Sequence, residues 1–138
     1  MHESASDQPL TGLPATGLPA HAVVVGDPAR AAQVADRLDG PRELAHRREF
    51  RSFLGSWRGV PVVVASHGVG APGAMCLFQE LADGGVRSVV RLGTAGALQP
   101  GLGDGELVIG EACVRDDGVT GQLVPDTFPV ADGVESAI

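Results

Sequence analysis

The chain has no lysine, asparagine or tyrosine, and little methionine or tryptophan. All of its basic residues are therefore arginines, ten in number. The missing residue types share AT-rich codons. A GC-rich genome accounts for the gap, and no function is read into it. Cysteine is scarce too. Cys76 and Cys113 have neither metal-ligand spacing nor the count of a disulfide framework, so they read as reduced, mostly buried thiols. No apolar run approaches the ~20 residues that span a bilayer. Met1 to Asp7 carry neither the basic start nor the apolar core of a signal peptide, and the compartment expected is the cytoplasm. Positive charge is also short. The net charge of −7 disfavours a general nucleic-acid or anionic-membrane surface. An anionic ligand would need a local cationic pocket in a negative protein.

What is present is a globular composition, 43% hydrophobic and 20% charged over 138 residues, enough for one ordinary domain. Residues 1–20 are polar, then broken by Pro and Gly, and read as an irregular N-terminal arm laid on a neighbour. Residues 21–138 read as the N-terminal portion of a single α/β domain. Ala22–Val25 is a short buried strand. Asp27 is a good N-cap and Pro28 a good first helical residue, with Ala31, Val34, Ala35 and Leu38 on one apolar face. Asp39-Gly40-Pro41 ends that helix. Arg42–Arg58 reads as one or two strands, and Val60–Ser66 as another buried strand after a turn at Arg58-Gly59. Pro72 opens a second helix with Ala74, Leu77, Phe78 and Leu81 inward, stopped at Asp83-Gly84-Gly85. Val86–Arg91 is a strand, Glu106–Arg115 a further strand, and a helix is expected from Asp132. Buried strands joined by crossover helices imply a mixed, mostly parallel sheet covered on both faces. The abrupt end at Ile138 reads as the loss of the C-terminal part of that domain.

Two strand ends carry chemistry. Gly26 ends the first strand, and Arg30 stands in the helical turn after it. Helix side chains lean toward the N-terminus, so Arg30 can hang over Gly26. The strand Val86–Arg91 ends in Arg91, followed by Gly93, Thr94 and Gly96. Parallel strands put both ends on one edge of the sheet, where open α/β sheets bind ligands. An arginine fork suits an oxyanion such as phosphate. Other readings stay open on the residues alone. Gly68-Val69-Gly70-Ala71-Pro72-Gly73 matches the G-x-G-x-x-G of dinucleotide sites, but Pro72 removes an N–H, and such a fingerprint belongs on the first strand. Arg47-Arg48-Glu49-Phe50 is a charged cluster that reads equally as a solvated strand edge. His67 follows a buried strand and is either a base or a satisfied loop residue.

Taken together, Val25–Arg30, Arg48-Glu49-Phe50, Ser66–Pro72, Arg91–Gln99, Val114–Gly118 and Pro125–Asp132 resemble the hexameric nucleoside phosphorylases, uridine phosphorylase above all. The resemblance implies an α/β fold and phosphate-dependent cleavage of a nucleoside, uridine favoured, to free base and ribose 1-phosphate. Such an enzyme is a pentosyltransferase. It implies phosphate at Gly26, Arg30, Arg91 and Thr94, with Arg48 reaching the phosphate of the neighbouring subunit. It implies ribose contacts at Thr94 and Gly96, and a homo-oligomer, a hexamer built as a trimer of dimers. No cofactor is implied beyond phosphate as co-substrate and a potassium ion at Glu49. Three departures stand out. Gln8, Pro9 and Leu10 occupy the place of an N-terminal histidine, and Gly73 that of the serine that accompanies Glu49 at the ion. The segments that hold ribose and base fall beyond Ile138. The catalytic residues are therefore not assigned, and the chain is expected to be inactive alone. A water-using nucleosidase of the same fold and a non-catalytic phosphate- or nucleotide-binding fragment are the alternatives. The phosphate-site arginines argue against the nucleosidase.

Overall fold

A computed structural model describes residues 7–123 and 130–132. The chain divides into two compact units, Met1–Leu92 and Gly93–Ile138.

The first unit is a five-stranded sheet with a helix on either face. The elements are β1 (His21–Val25), α1 (Pro28–Ala35), β2 (Asp39–Arg47), β3 (Phe50–Trp57), β4 (Val60–Ser66), α2 (Gly70–Gly84) and β5 (Ser88–Arg91). The strand order is β2-β3-β4-β1-β5. β1 is parallel to both β4 and β5, while β2, β3 and β4 form an antiparallel meander. The sheet is thus mixed but not mostly parallel: two of its pairings are parallel and two antiparallel, and α1 lies over β3 and β4 as well as β1. Two-residue turns join the meander. At Arg58-Gly59 both residues have positive φ (51° and 81°), the hairpin geometry that matches strand twist. At Arg48-Glu49 the left-handed position falls on Arg48 (φ 55°), with no glycine to relieve it. What reads in sequence as one or two strands is this hairpin. β2 begins at Asp39, where the sequence predicts a helix stop, because α1 ends already at Ala35.

Alternation along the buried strands feeds two cores. Val24, Val63 and Ala65 face α2 and pack with Leu77 and Leu81. Val25 and Val64 face α1 and pack with Ala31, Ala35 and Phe53. Burying a side chain such as Leu81, which is fully enclosed, contributes about 1.5–3 kcal/mol. Asp27 caps α1 as its sequence suggests, its Oδ1 accepting from the Ala29 N–H at 2.6 Å. Gly85 (φ 118°) ends α2 in the left-handed conformation.

The described part of the arm lies on α2 of its own chain. Leu13 and Leu18 enter the α2-side core, and Leu18 N–H donates to the Gly84 carbonyl. Glu80, a buried carboxylate on α2, accepts from the N–H groups of Leu10 (2.9 Å) and Thr11 (2.8 Å). Both of its oxygens are thereby used, which is what a carboxylate out of water requires. Arg47 closes the loop from the other side by donating to the Gln8 and Pro9 carbonyls.

The second unit holds β6 (Ala112–Val114), the one-turn α3 (Thr120–Leu123) and β7 (Val130–Asp132), which pairs antiparallel with β6. Glu106–Arg115 is not one strand. Leu107, Val108 and Ile109 are irregular and exposed, at 89%, 76% and 84%. An apolar run makes a strand only where another strand takes its N–H and C=O groups, and no strand does so among the described residues. Most of the Pro125–Asp132 motif, and the residues after Asp132 for which the sequence predicts a helix, lie outside the described residues; Asp132 itself ends β7.

Candidate anion site at the sheet edge

The C-terminal ends of β4, β1 and β5 come together at one edge of the first unit. Register pairs Val24 with both Ala65 and Arg91. Paired residues on parallel strands share a face, so Arg91 leaves the sheet on the α2 side. His67, two residues past Ala65, follows on the same side. The ladder runs one step beyond the strands: His67 N–H donates to Val25, Gly68 N–H to Gly26, and Leu92 N–H to Val24. This fixes the backbone on both sides of Gly26. A Cβ at Gly26 would meet only the Gly68 carbonyl oxygen, at 3.5 Å, so the strand end stays open there.

Arg91 Nε–H donates to His67 Nε2 at 3.1 Å. A ring nitrogen that accepts carries no proton, so the imidazole is neutral with its proton on Nδ1. Burial of His67, only 3% exposed, pushes its pKa below the usual histidine value, and the Arg91 charge pushes the same way. The backbone at His67 and Gly68 opposes these effects more weakly. Nδ1 is buried without a hydrogen-bond partner among the described residues.

Arg30 lies in the first turn of α1, half-buried, on the opposite face of the sheet from Arg91. The two arginines thus belong to different sides of the sheet. One anion can meet both only beyond the end of the sheet, above Gly26. Arg48 is exposed at the tip of the β2–β3 hairpin. Its neighbour Glu49 lies over the next loop, where a Cβ on Gly68 would come within 2.6 Å of Glu49 Cγ. Ser66 Oγ ties the tip down, donating to the Glu49 carbonyl and accepting from Arg51 N–H at 2.9 Å. Thr94 and Gly96 belong to the second unit, in exposed irregular backbone. A cavity of about 460 Å³ in that unit includes Gly96 in its wall, but its charged lining residues, Asp104 and Glu106, are acidic and do not suit an anion. The structure therefore gathers Gly26, His67 and Arg91. Sequence alone does not decide the role of His67. Its partner stands 24 positions away, and no local pattern announces the pairing.

Glu49 is a single carboxylate packed over Gly68, and Gly73 has no hydroxyl. A Cβ on Gly73 would lie 2.5 Å from the His67 carbonyl oxygen, so α2 approaches this loop more closely than any side chain allows. Gly73→Ser is accordingly expected to destabilise the protein by ~1–3 kcal/mol, the usual range for an overpacked site. Denaturant unfolding would read this, and an unchanged midpoint would refute the close approach.

The phosphorylase superfamily matches residues 20–136, and the chain belongs to that superfamily. It is 44% identical over 114 residues to uridine phosphorylase of Haemophilus influenzae, covering 83% of this chain and 45% of that protein. Against uridine phosphorylase of Thermococcus kodakarensis it is 36% identical over 115 residues, covering 83% of this chain and 42% of that protein. Among solved structures, uridine phosphorylase from Vibrio fischeri superposes with a TM-score of 0.83 at 33% identity, over 88% of this chain and 51% of that one. Purine nucleoside phosphorylase from Toxoplasma gondii, in complex with immucillin-H, gives 0.74 at 34% identity, over 94% and 52%. The chain thus spans about half the length of the relatives it matches. Among the described residues no helix is long and apolar enough to cross a membrane.

Proposed function

We propose that the whole protein is a nucleoside phosphorylase of the uridine type, and that residues 21–138 are the phosphate-holding N-terminal portion of its single domain. The observation that carries this is the position of Arg91. It stands at a strand end beside the open Gly26, with its Nε–H held by His67, in a chain 44% identical to a uridine phosphorylase. In this reading Gly26, Arg30 and Arg91 bind phosphate, joined by Thr94 and by Arg48 of a neighbouring subunit in a cytoplasmic homo-oligomer, a hexamer. Thr94 and Gly96 also meet the ribose. A phosphate oxygen attacks C1′, the N-glycosidic bond breaks, and its electron pair leaves with the base. Ribose 1-phosphate and free base result. The arginines hold the attacking anion in line below a sugar that becomes cationic, so positioning and charge supply the rate. A nucleosidase, which activates water, has no use for such a cradle.

Leaving out phosphate decides between them. With uridine supplied to the whole protein, release of uracil is expected to stop in phosphate-free buffer and return when phosphate is added. Undiminished release would make the reaction a hydrolysis and the arginines structural.

A further inference from the structure

We propose that His67 is a positioning residue for the anion site: by accepting from Arg91 Nε–H it fixes the guanidinium so that its two terminal amino groups are presented to the phosphate. The inference deepens the proposed function and rests on it. Three observations carry it. The bond is 3.1 Å between side chains at the ends of β4 and β5, the two strands that flank β1. The imidazole is enclosed, whereas Arg91 is exposed at an edge where an arginine would otherwise sample many rotamers. The bond engages Nε and not the fork, so it orients the fork without consuming it.

The electrostatics favour this arrangement over a role as general base. A general base must take a proton from a substrate, and the acceptor nitrogen here is already facing a cation. Protonation at Nε2 would break the bond to Arg91 and set two positive charges side by side. Burial and the Arg91 charge both keep the ring neutral. The ring is an acceptor held in one tautomer. The groups around it are Arg91 from β5 and the backbone of its own loop, with Glu49 from the hairpin tip lying over the adjacent Gly68.

Freezing one arginine before phosphate arrives removes an ordering cost of about 0.5–1.5 kcal/mol from binding. Loss of the contact should therefore raise the KM for phosphate by roughly 2- to 13-fold, the same figure expressed as a ratio. The nucleoside KM should hardly move. A pair of polar variants in the whole protein separates reach from polarity. In His67→Gln the amide oxygen can extend to the place of Nε2 and accept from Arg91. In His67→Asn the amide stops near the place of Nδ1 and falls short. His67→Gln is expected to keep the wild-type phosphate KM, and His67→Asn to raise it several-fold with the uridine KM unchanged. Nitrogen-15 NMR of the wild-type imidazole should show the proton on Nδ1, with a pKa below that of a free histidine. Equal phosphate KM values for the two variants, a change confined to uridine, or a proton on Nε2 would each overturn the inference while leaving phosphorolysis intact. Uracil release by wild type without phosphate would instead remove the proposed function, and this inference with it.

Discussion

Arg91→Ala is expected to lower kcat/KM for phosphate by about 10²–10³-fold in the whole protein, the range seen when one preorganised donor to a reacting oxyanion is removed. The loss should be in phosphate use, with uridine still bound. Arg91 is the residue for which the effect should be largest, because its orientation is set in advance. Its Nε–H is committed to a buried imidazole, and its backbone is locked between Val24 and Leu92 by the β1–β5 ladder. Arg30, on the α1 face, is expected to share the load in the proposed site, with a smaller loss on substitution. Arg48 tests whether the site is shared between subunits. It sits in a left-handed backbone conformation at an exposed hairpin tip, a position suited to reaching outward. Arg48→Ala should also impair phosphate use, and mixing it with Arg91→Ala should restore activity. In a mixed pair one site lacks both arginines and the other keeps both. Assay of the two inactive variants after subunit exchange reads this directly. Mixtures as inactive as their parents would place Arg48 outside the neighbouring site. An Arg91→Ala protein with an unchanged phosphate KM and kcat would remove Arg91 from the reaction.

Much of the first unit is legible in the sequence because its signals are local. β1, β4 and β5 are short apolar runs ended by glycine, histidine or arginine. α2 carries its own stop, and α1 its own cap. Two kinds of feature are not legible. The β2–β3 hairpin turns through Arg48-Glu49, and nothing in that dipeptide has the Asn-Gly or Asp-Gly chemistry that marks a two-residue turn. The pairing of β3 with β4 holds the tip, through Ser66, and that is a tertiary fact. The second kind is partnership at a distance. Arg91 stands out as an anion ligand from its place at a strand end, but His67 becomes interpretable only when register brings the two together. The anchoring of the arm is hidden for a similar reason. Its anchor is Glu80, some 70 residues downstream, and no local pattern announces that pairing. Leu107-Val108-Ile109 fails the other way. The run has strand propensity, and propensity yields where no strand pairs with it among the described residues.

The 138-residue chain on its own is expected to show no turnover of nucleosides and to associate into particles of no fixed size. Cleavage needs groups that grip ribose and base as well as phosphate, and each must be aimed at the reacting atoms. Gly26, Arg30 and Arg91 are taken by the anion in the proposed site, and His67 by Arg91. Too little is left to orient a sugar and a departing base. The uridine phosphorylases that the chain matches are about twice as long. The surface makes a separate prediction. β5 is an edge strand with Val90 and Leu92 open at 53% and 42%. In the second unit Leu98 is fully exposed, and Leu107, Val108 and Ile109 are largely so. An open edge with apolar neighbours is a template for pairing with another chain, and exposed apolar surface of this kind drives association. A net charge of −7 slows such association at low salt and does so less as salt screens it. Light scattering on the purified chain, with uridine, thymidine and inosine assayed in the presence of phosphate, tests both halves. Heterogeneous particles that grow with salt and show no base release are expected. A monodisperse, active sample would mean that side chains given a purely structural or positioning role hold the substrate, and His67 would be the first to substitute.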